Sequence, residues 1–194
     1  MKNNTKIQKL NRFAALAKLG EIVFHIDDLA NLWHITNKNT LYTTIKRYVE
    51  QKLLVRIYKG FYAIKPLSEI DPQFLGVKAL HGYAYVSSET ILRERGIIQQ
   101  ELPAITIISS QTKHFSIADN QYYSRKLPDQ FLYQTDGITF SNNGVYHANL
   151  ERAIADLLYF NPRAYFDAAN LVDWKKVRAL QAKLGYPLTP KFYV

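Results

Sequence analysis

Within residues 41–66, LYTTIKRYVEQKLLVRIYKGFYAIKP, the apolar residues change from helical to strand spacing, and a Lys-Gly step and a proline close the stretch. This change of period confines the segment to a helix that runs into a hairpin. Asn39 or Thr40 is the expected cap of the helix, which continues to about Lys52. At 100° per residue, Leu41, Ile45, Tyr48 and Val49 fall on one side, and Thr40, Thr43, Lys46, Arg47 and Glu50 on the other. In the hairpin, Val55, Ile57, Tyr62 and Ile64 are expected on one face and Arg56, Tyr58, Phe61 and Ala63 on the other, about a Lys59-Gly60 turn. Lys is not a residue of the tightest two-residue turns, which leaves a longer loop or another register open.

The residues before this stretch supply two more helices and a short strand. Ile7, Leu10, Phe13, Ala14, Leu16, Ala17 and Leu19 recur at helical spacing up to Gly20. Ile22–Phe24 is β-prone, and Asp27 or Asp28 can cap a helix striped by Leu29, Leu32, Trp33 and Ile35. Thr36–Asn39 is a polar turn. Three helices and a hairpin with a basic tip are the layout of a winged helix-turn-helix, expected over residues 1–66.

Charge singles out the same region. Residues 1–65 hold twelve Lys or Arg and four acids, an excess of eight, whereas the remaining residues hold thirteen and twelve. Nearly all of the net charge of +9 therefore sits in the first third, which suggests a polyanion as its partner. The candidate DNA contacts are Lys38, Thr40, Thr43, Lys46 and Arg47 on the third helix, and Arg56, Tyr58 and Lys59 on the hairpin. Hydroxyls can touch bases or phosphates, while Lys and Arg neutralise phosphate or read guanine. Winged helices also serve protein contacts, and basic surfaces aid solubility, but the concentration of charge favours DNA.

PLSEIDPQ, residues 66–73, carries two prolines and two acids and is the best domain boundary, with residues 67–73 expected as a linker. The remainder, 74–194, reads as a larger α+β domain, so the whole chain is expected to be α+β. Its expected helices are Phe74–Leu80, one after Ser87 or Ser88 that ends at Gly96, NLERAIADLLYF capped by Asn149, Arg163–Ala169, and Asp173–Leu184. Its expected strands are Tyr83–Val86, Ala104–Ser109, His114–Ala118, Tyr122–Lys126, Phe131–Tyr133, Ile138–Phe140 and Val145–His147.

Catalytic patterns are missing from the sequence. The chain has no Cys, which excludes disulfides, cysteine-ligated metals and a thiol nucleophile. His25, His34, His81, His114 and His147 show no metal-ligand spacing, and neither a phosphate-cradling glycine loop nor a GxSxG elbow occurs. No cofactor or metal is expected. Glu151, Arg152 and Asp156 lie within two turns of one helix and could form an acid/base or metal pair. The plainer reading sets Glu151 at the positive end of the helix dipole and pairs Arg152 with Asp156 at i, i+4. No apolar run reaches the roughly 18 residues of a membrane span, and the charged N-terminal stretch is not a signal peptide.

Three segments, in order, resemble AbiEi-type antitoxins: LYTTIKRYVEQKLLVRIYKGFYAIKP with its Gly60-Phe61-Tyr62 step, YVSSETILRERGII, and LERAIADLLYF with Glu151, Arg152 and Asp156. The resemblance implies a bacterial, cytoplasmic antitoxin of a type IV abortive-infection system. It implies that the winged helix represses the protein's own operon at inverted repeats in double-stranded promoter DNA, often cooperatively. It also implies that the C-terminal domain counters a nucleotidyltransferase-like toxin, without needing to bind it directly. The alternative from the residues is a winged-helix transcriptional regulator whose larger domain senses a ligand or protein, with no toxin. Neither reading is an enzyme and neither involves a membrane.

Overall fold

Helix caps and burial periods set the elements of the N-terminal part. The computed structural model describes residues 12–100 and 103–189, and the chain divides into two units, Met1–Ile70 and Asp71–Val194. In the first unit, residues 12–18 are helical (α1), followed by β1 (Val23–His25), α2 (Ile26–Trp33), α3 (Lys38–Glu50), β2 (Val55–Tyr58) and β3 (Phe61–Ala63). The expected helical residues 7–11 lie outside the described residues. Helix α2 starts one residue before Asp27, because Asp28 reaches back to accept the His25 backbone N–H at 2.8 Å from inside the first turn. Helix α3 starts at Lys38 rather than at Thr40, because the Asn37 side chain accepts the Thr40 N–H at 3.0 Å. It ends at Glu50, two residues short of the expected Lys52, whose φ of 58° is left-handed. Leu16, Phe24, Leu29, Trp33, Leu41, Ile45, Tyr48, Leu54 and Tyr62 form one buried cluster between the helices and the sheet. Burying a large apolar side chain contributes about 1.5–3 kcal/mol each, so this cluster is what holds α3 in place.

The sheet of this unit has the order β1-β3-β2, all antiparallel. Its hairpin departs from the expected register. Tyr58 pairs with Phe61 across the Lys59-Gly60 turn, where Gly60 has φ +89°, but Arg56 pairs with Tyr62 and Val55 with Ala63. A bulge between Arg56 and Tyr58 takes up one residue, so Arg56 changes faces. Arg56 therefore shares the face of Tyr62, and Tyr58 shares the opposite face with Phe61, instead of Arg56 and Tyr58 lying together.

The expected linker over 67–73 is itself structured. Leu67–Glu69 is a turn of 3-10 helix, and Asp71 caps α4 (Pro72–Lys78) by accepting the Phe74 N–H at 2.9 Å. Proline fits the first helical turn because its missing N–H would be unpaired there.

In the second unit follow β4 (Ala84–Val86), α5 (Glu89–Glu94), β5 (Ala104–Ser109), β6 (Lys113–Ile117), β7 (Asn120–Lys126), α6 (Asp129–Leu132), β8 (Ile138–Phe140), β9 (Tyr146–Ala148), α7 (Leu150–Phe160) and α8 (Trp174–Leu184). The strands form a six-stranded mixed sheet in the order β6-β7-β5-β4-β9-β8. Both faces are covered, which is why β5 reads as a continuous β-branched run: Ile107 and Ile108 point to opposite faces and both are fully buried. Tyr122 ties α4 to one face by donating its hydroxyl to the Pro72 carbonyl at 2.9 Å. Two sheets with helices packed on them make this a mixed α+β protein.

Two expected elements of this unit differ. Phe131–Tyr133 is not a strand but the end of α6 and the residue after it. A strand would send Phe131 and Leu132 to opposite faces. The helical turn buries Leu132 and still sets Phe131 edge-on to Tyr186 at 5.1 Å. Arg163–Ala169 is not a helix. Ala164 and Phe166 are buried in alternation with exposed neighbours, and the segment bonds across to residues 97–99, through Ala168 N–H to the Ile97 carbonyl and Gln99 N–H to the Asp167 carboxylate. A helix only begins again at a 3-10 turn, Ala169–Leu171, and at α8, which Asp173 caps.

Candidate nucleic-acid interface

The cap at Asn37 places Lys38 in the first turn of α3, and the buried stripe Leu41, Ile45 and Tyr48 turns the rest of the helix outward. Two rows of side chains result. Thr40, Thr43 and Arg47, at i, i+3 and i+7, are exposed on the outer face. Tyr42, Lys46 and Val49, at i, i+4 and i+7, flank that face and line a groove of about 410 Å³ with Arg56, Lys59 and Tyr62 of the hairpin. Sequence spacing set Lys46 beside Arg47; the fold separates them, giving Lys46 to the groove and Arg47 to the outer row. The bulge in β2 brings Arg56 into the groove, because it puts Arg56 on the Tyr62 side of the sheet.

Lys38, Thr40, Thr43, Lys46, Arg47, Arg56 and Lys59 are all exposed. Tyr58 is half-buried and packs on the Phe61 ring at 5.2 Å, away from the groove. Lys46 lies 3.8 Å from Glu50, an exposed i, i+4 pair worth only a few tenths of a kcal/mol. Among the described residues Arg47, Arg56 and Lys59 form no ion pair. The arrangement offers hydroxyls and a guanidinium in one row, suited to base edges, and three cations around a groove, suited to phosphates.

In the second unit the sequence pattern Glu151, Arg152 and Asp156 separates into two parts. Glu151 is half-buried in the first turn of α7, which Asn149 caps by accepting the Arg152 N–H at 2.8 Å. Arg152 and Asp156 are fully buried and joined by an Nε–Oδ1 bond of 2.9 Å. Tyr186 also donates to Oδ1, at 2.9 Å, while Tyr85 and Ser87 donate to Oδ2 at 3.1 and 2.7 Å. The Arg152 guanidinium donates to the carbonyls of Gln134 and Asp136 at 2.9 and 3.1 Å and to the Tyr85 hydroxyl at 2.7 Å. Gly137, with φ +75°, lets that loop approach; a Cβ there would sit 2.8 Å from the Arg152 Cβ. Burial works most strongly against the arginine's charge, but Asp156, Tyr85 and Tyr186 together outweigh it and hold the group protonated. Burial, then the Asp156 charge, pushes the Tyr85 and Tyr186 hydroxyls well above the ordinary tyrosine range. Every oxygen of the carboxylate is bonded and neither charge reaches solvent, so the pair ties α7 to β4, the 134–137 loop and Tyr186.

No protein-family model matches the chain, and no curated protein does. A solved structure does resemble it: that of the RV2827C protein from Mycobacterium tuberculosis. The two are 14% identical, with a TM-score of 0.53 over 90% of this chain and 70% of that one. At this identity the likeness is one of fold.

Sequence reasoning missed Tyr42, which is 46% exposed at the rim of the groove. Its place on the helical wheel, between the buried stripe and Lys46, was the signal available. Tyr85, Ser87 and Tyr186 were also missed as partners of Asp156, since they stand 71, 69 and 30 residues away. Ser88 precedes α5 with φ 51° but its hydroxyl caps nothing, and Ser87 spends its hydroxyl on Asp156. A second cavity, of about 390 Å³, is lined by Asp71, Gln73, Thr90, Arg93, Asp119 and Gln121 among others. Among the described residues no three His, Asp or Glu side chains are grouped to hold a metal ion, and no helix is long and apolar enough to cross a membrane.

Proposed function

We propose that the first unit is a winged helix-turn-helix that binds duplex DNA, and that the chain is a cytoplasmic bacterial antitoxin and autorepressor of the kind its resemblance to AbiEi-type proteins implies. One observation carries the DNA reading: the exposed hydroxyls and cations of α3 and the hairpin lie together on the unit whose residues 1–65 hold the excess charge of eight. In this reading the row Thr40, Thr43 and Arg47 enters the major groove. Lys46, Arg56 and Lys59 take phosphates of the flanking backbone, and Lys38 adds a phosphate contact at the start of the helix. Bound at inverted repeats in its own promoter, the protein blocks transcription of its operon. The second unit counters a nucleotidyltransferase-like toxin, without a direct complex being required.

Fluorescence anisotropy with promoter DNA at increasing salt tests the DNA reading. Each phosphate contact contributes a log–log slope of about −0.9. A steep negative slope is expected, and a flat response would reject the reading. Growth rescue on co-expression with the neighbouring gene tests the antitoxin part. The second reading, a regulator whose larger unit senses a ligand, is favoured by the polar cavity of about 390 Å³ in that unit. Operator binding without any rescue of growth would select it.

A further inference from the structure

The groove between α3 and the hairpin has a lining that phosphates alone do not account for. Its cations are Lys46, Arg56 and Lys59, yet its floor is Ile45 and Val49, and its rim is the exposed ring of Tyr42. A paired duplex presents phosphates and base edges, while its base faces are stacked on one another and out of reach. An apolar floor beside an exposed aromatic ring matches the face of an unstacked base instead. The volume of about 410 Å³ is that of a small-ligand site. The charge is also complementary to a nucleotide: three cations stand against Glu50, the one acid of the lining, which already faces Lys46 at 3.8 Å.

We propose that this groove seats a single unpaired nucleotide of the bound DNA, its base stacked on Tyr42 over Ile45 and Val49 and its phosphate held by Arg56 and Lys59. The proposal rests on the nucleic-acid reading above and adds a preference to it: the protein favours DNA in which one base has left the stack. Because the β2 bulge puts Arg56 on the groove side, the phosphate-binding cations and the stacking ring face the same space.

The test uses the full chain and promoter duplexes in which a single unpaired 2-aminopurine steps through the protected region. At one position the unpaired duplex should bind about tenfold tighter than the fully paired one, as a base–aromatic stack provides, and the probe's emission should fall on binding. Tyr42→Ala should abolish both the difference and the quenching, and Tyr42→Phe should keep both, since the ring alone is needed. Equal affinity for paired and unpaired duplexes at every position would overturn the proposal while leaving duplex binding intact. So would a Tyr42→Ala variant that lowers both affinities by the same factor. Binding to neither form would overturn the nucleic-acid reading, and the proposal with it.

Discussion

Asp156 illustrates how a buried charge becomes tolerable. Four donors surround its two oxygens, and Arg152 supplies the compensating charge. Removing one partner leaves the other buried and unpaired, which costs about 3–5 kcal/mol. Arg152→Met and Asp156→Leu should each destabilise by that amount in urea denaturation, while the double variant should lose clearly less than the sum. The i, i+4 spacing made the pair legible in the sequence. The hydroxyls that complete it were not, because Tyr85 and Ser87, in and just after β4, and Tyr186, just after α8, meet α7 only in the packed core. The tyrosines have a pH signature. Burial raises the hydroxyls of Tyr85, Tyr122 and Tyr186 above the usual 10, with Tyr122 pushed up to about 12 by burial and then by Asp71. Folding favours their protonated form. Their contribution is intact below pH 10 and lost as pH rises through the folded values, since the unfolded chain gives up these protons first. Circular dichroism should show unfolding beginning between pH 10 and 12, with part of the ionisation signal of the fourteen tyrosines delayed until then. Complete ionisation near pH 10 with the fold intact would contradict this.

Elements were legible where local chemistry decides them. Asn149 and Asp173 cap α7 and α8, and Gly185 ends α8 in a left-handed conformation. They failed where a neighbour decides: the 163–169 segment is tied to residues 97–99 through the Ala168 N–H and the Asp167 carboxylate, and the hairpin hides a bulge that no spacing rule announces. Helix α4 offers a test of packing against propensity. Alanine is better than glycine inside a helix by about 1 kcal/mol. A Cβ on Gly76, however, would overlap the Tyr122 ring and lie 2.9 Å from the Ile107 Cδ1. Overpacking of this kind costs about 1–3 kcal/mol, and both obstacles are held in the core. Gly76→Ala should therefore lower stability in spite of its gain in propensity, and a raised melting temperature would show that Tyr122 can yield.

For the whole molecule the organising fact is the division into two units with different features. The charge excess belongs to the first unit, and the buried Arg152–Asp156 clasp to the second. A variant carrying Lys46→Ala, Arg47→Ala and Lys59→Ala removes three exposed cations and should keep its fold. Under the proposed function it should lose promoter binding in an electrophoretic shift yet still rescue cells from the proposed toxin when both genes are driven by foreign promoters. Loss of rescue by the folded variant would tie neutralisation to nucleic-acid binding.

By itself the sequence determined the position of most helices and strands, the charge asymmetry, the outer face of α3 and the Arg152–Asp156 pair. The charge asymmetry is a count along the chain, and the others depend on residues a few positions apart, where period, capping and helix geometry act directly. Tertiary structure decided which face Arg56 occupies, that Tyr42 joins Lys46 at a groove, and which hydroxyls surround Asp156. Those outcomes depend on strand register and on side chains up to 71 residues apart meeting in a packed core, and no local rule encodes them.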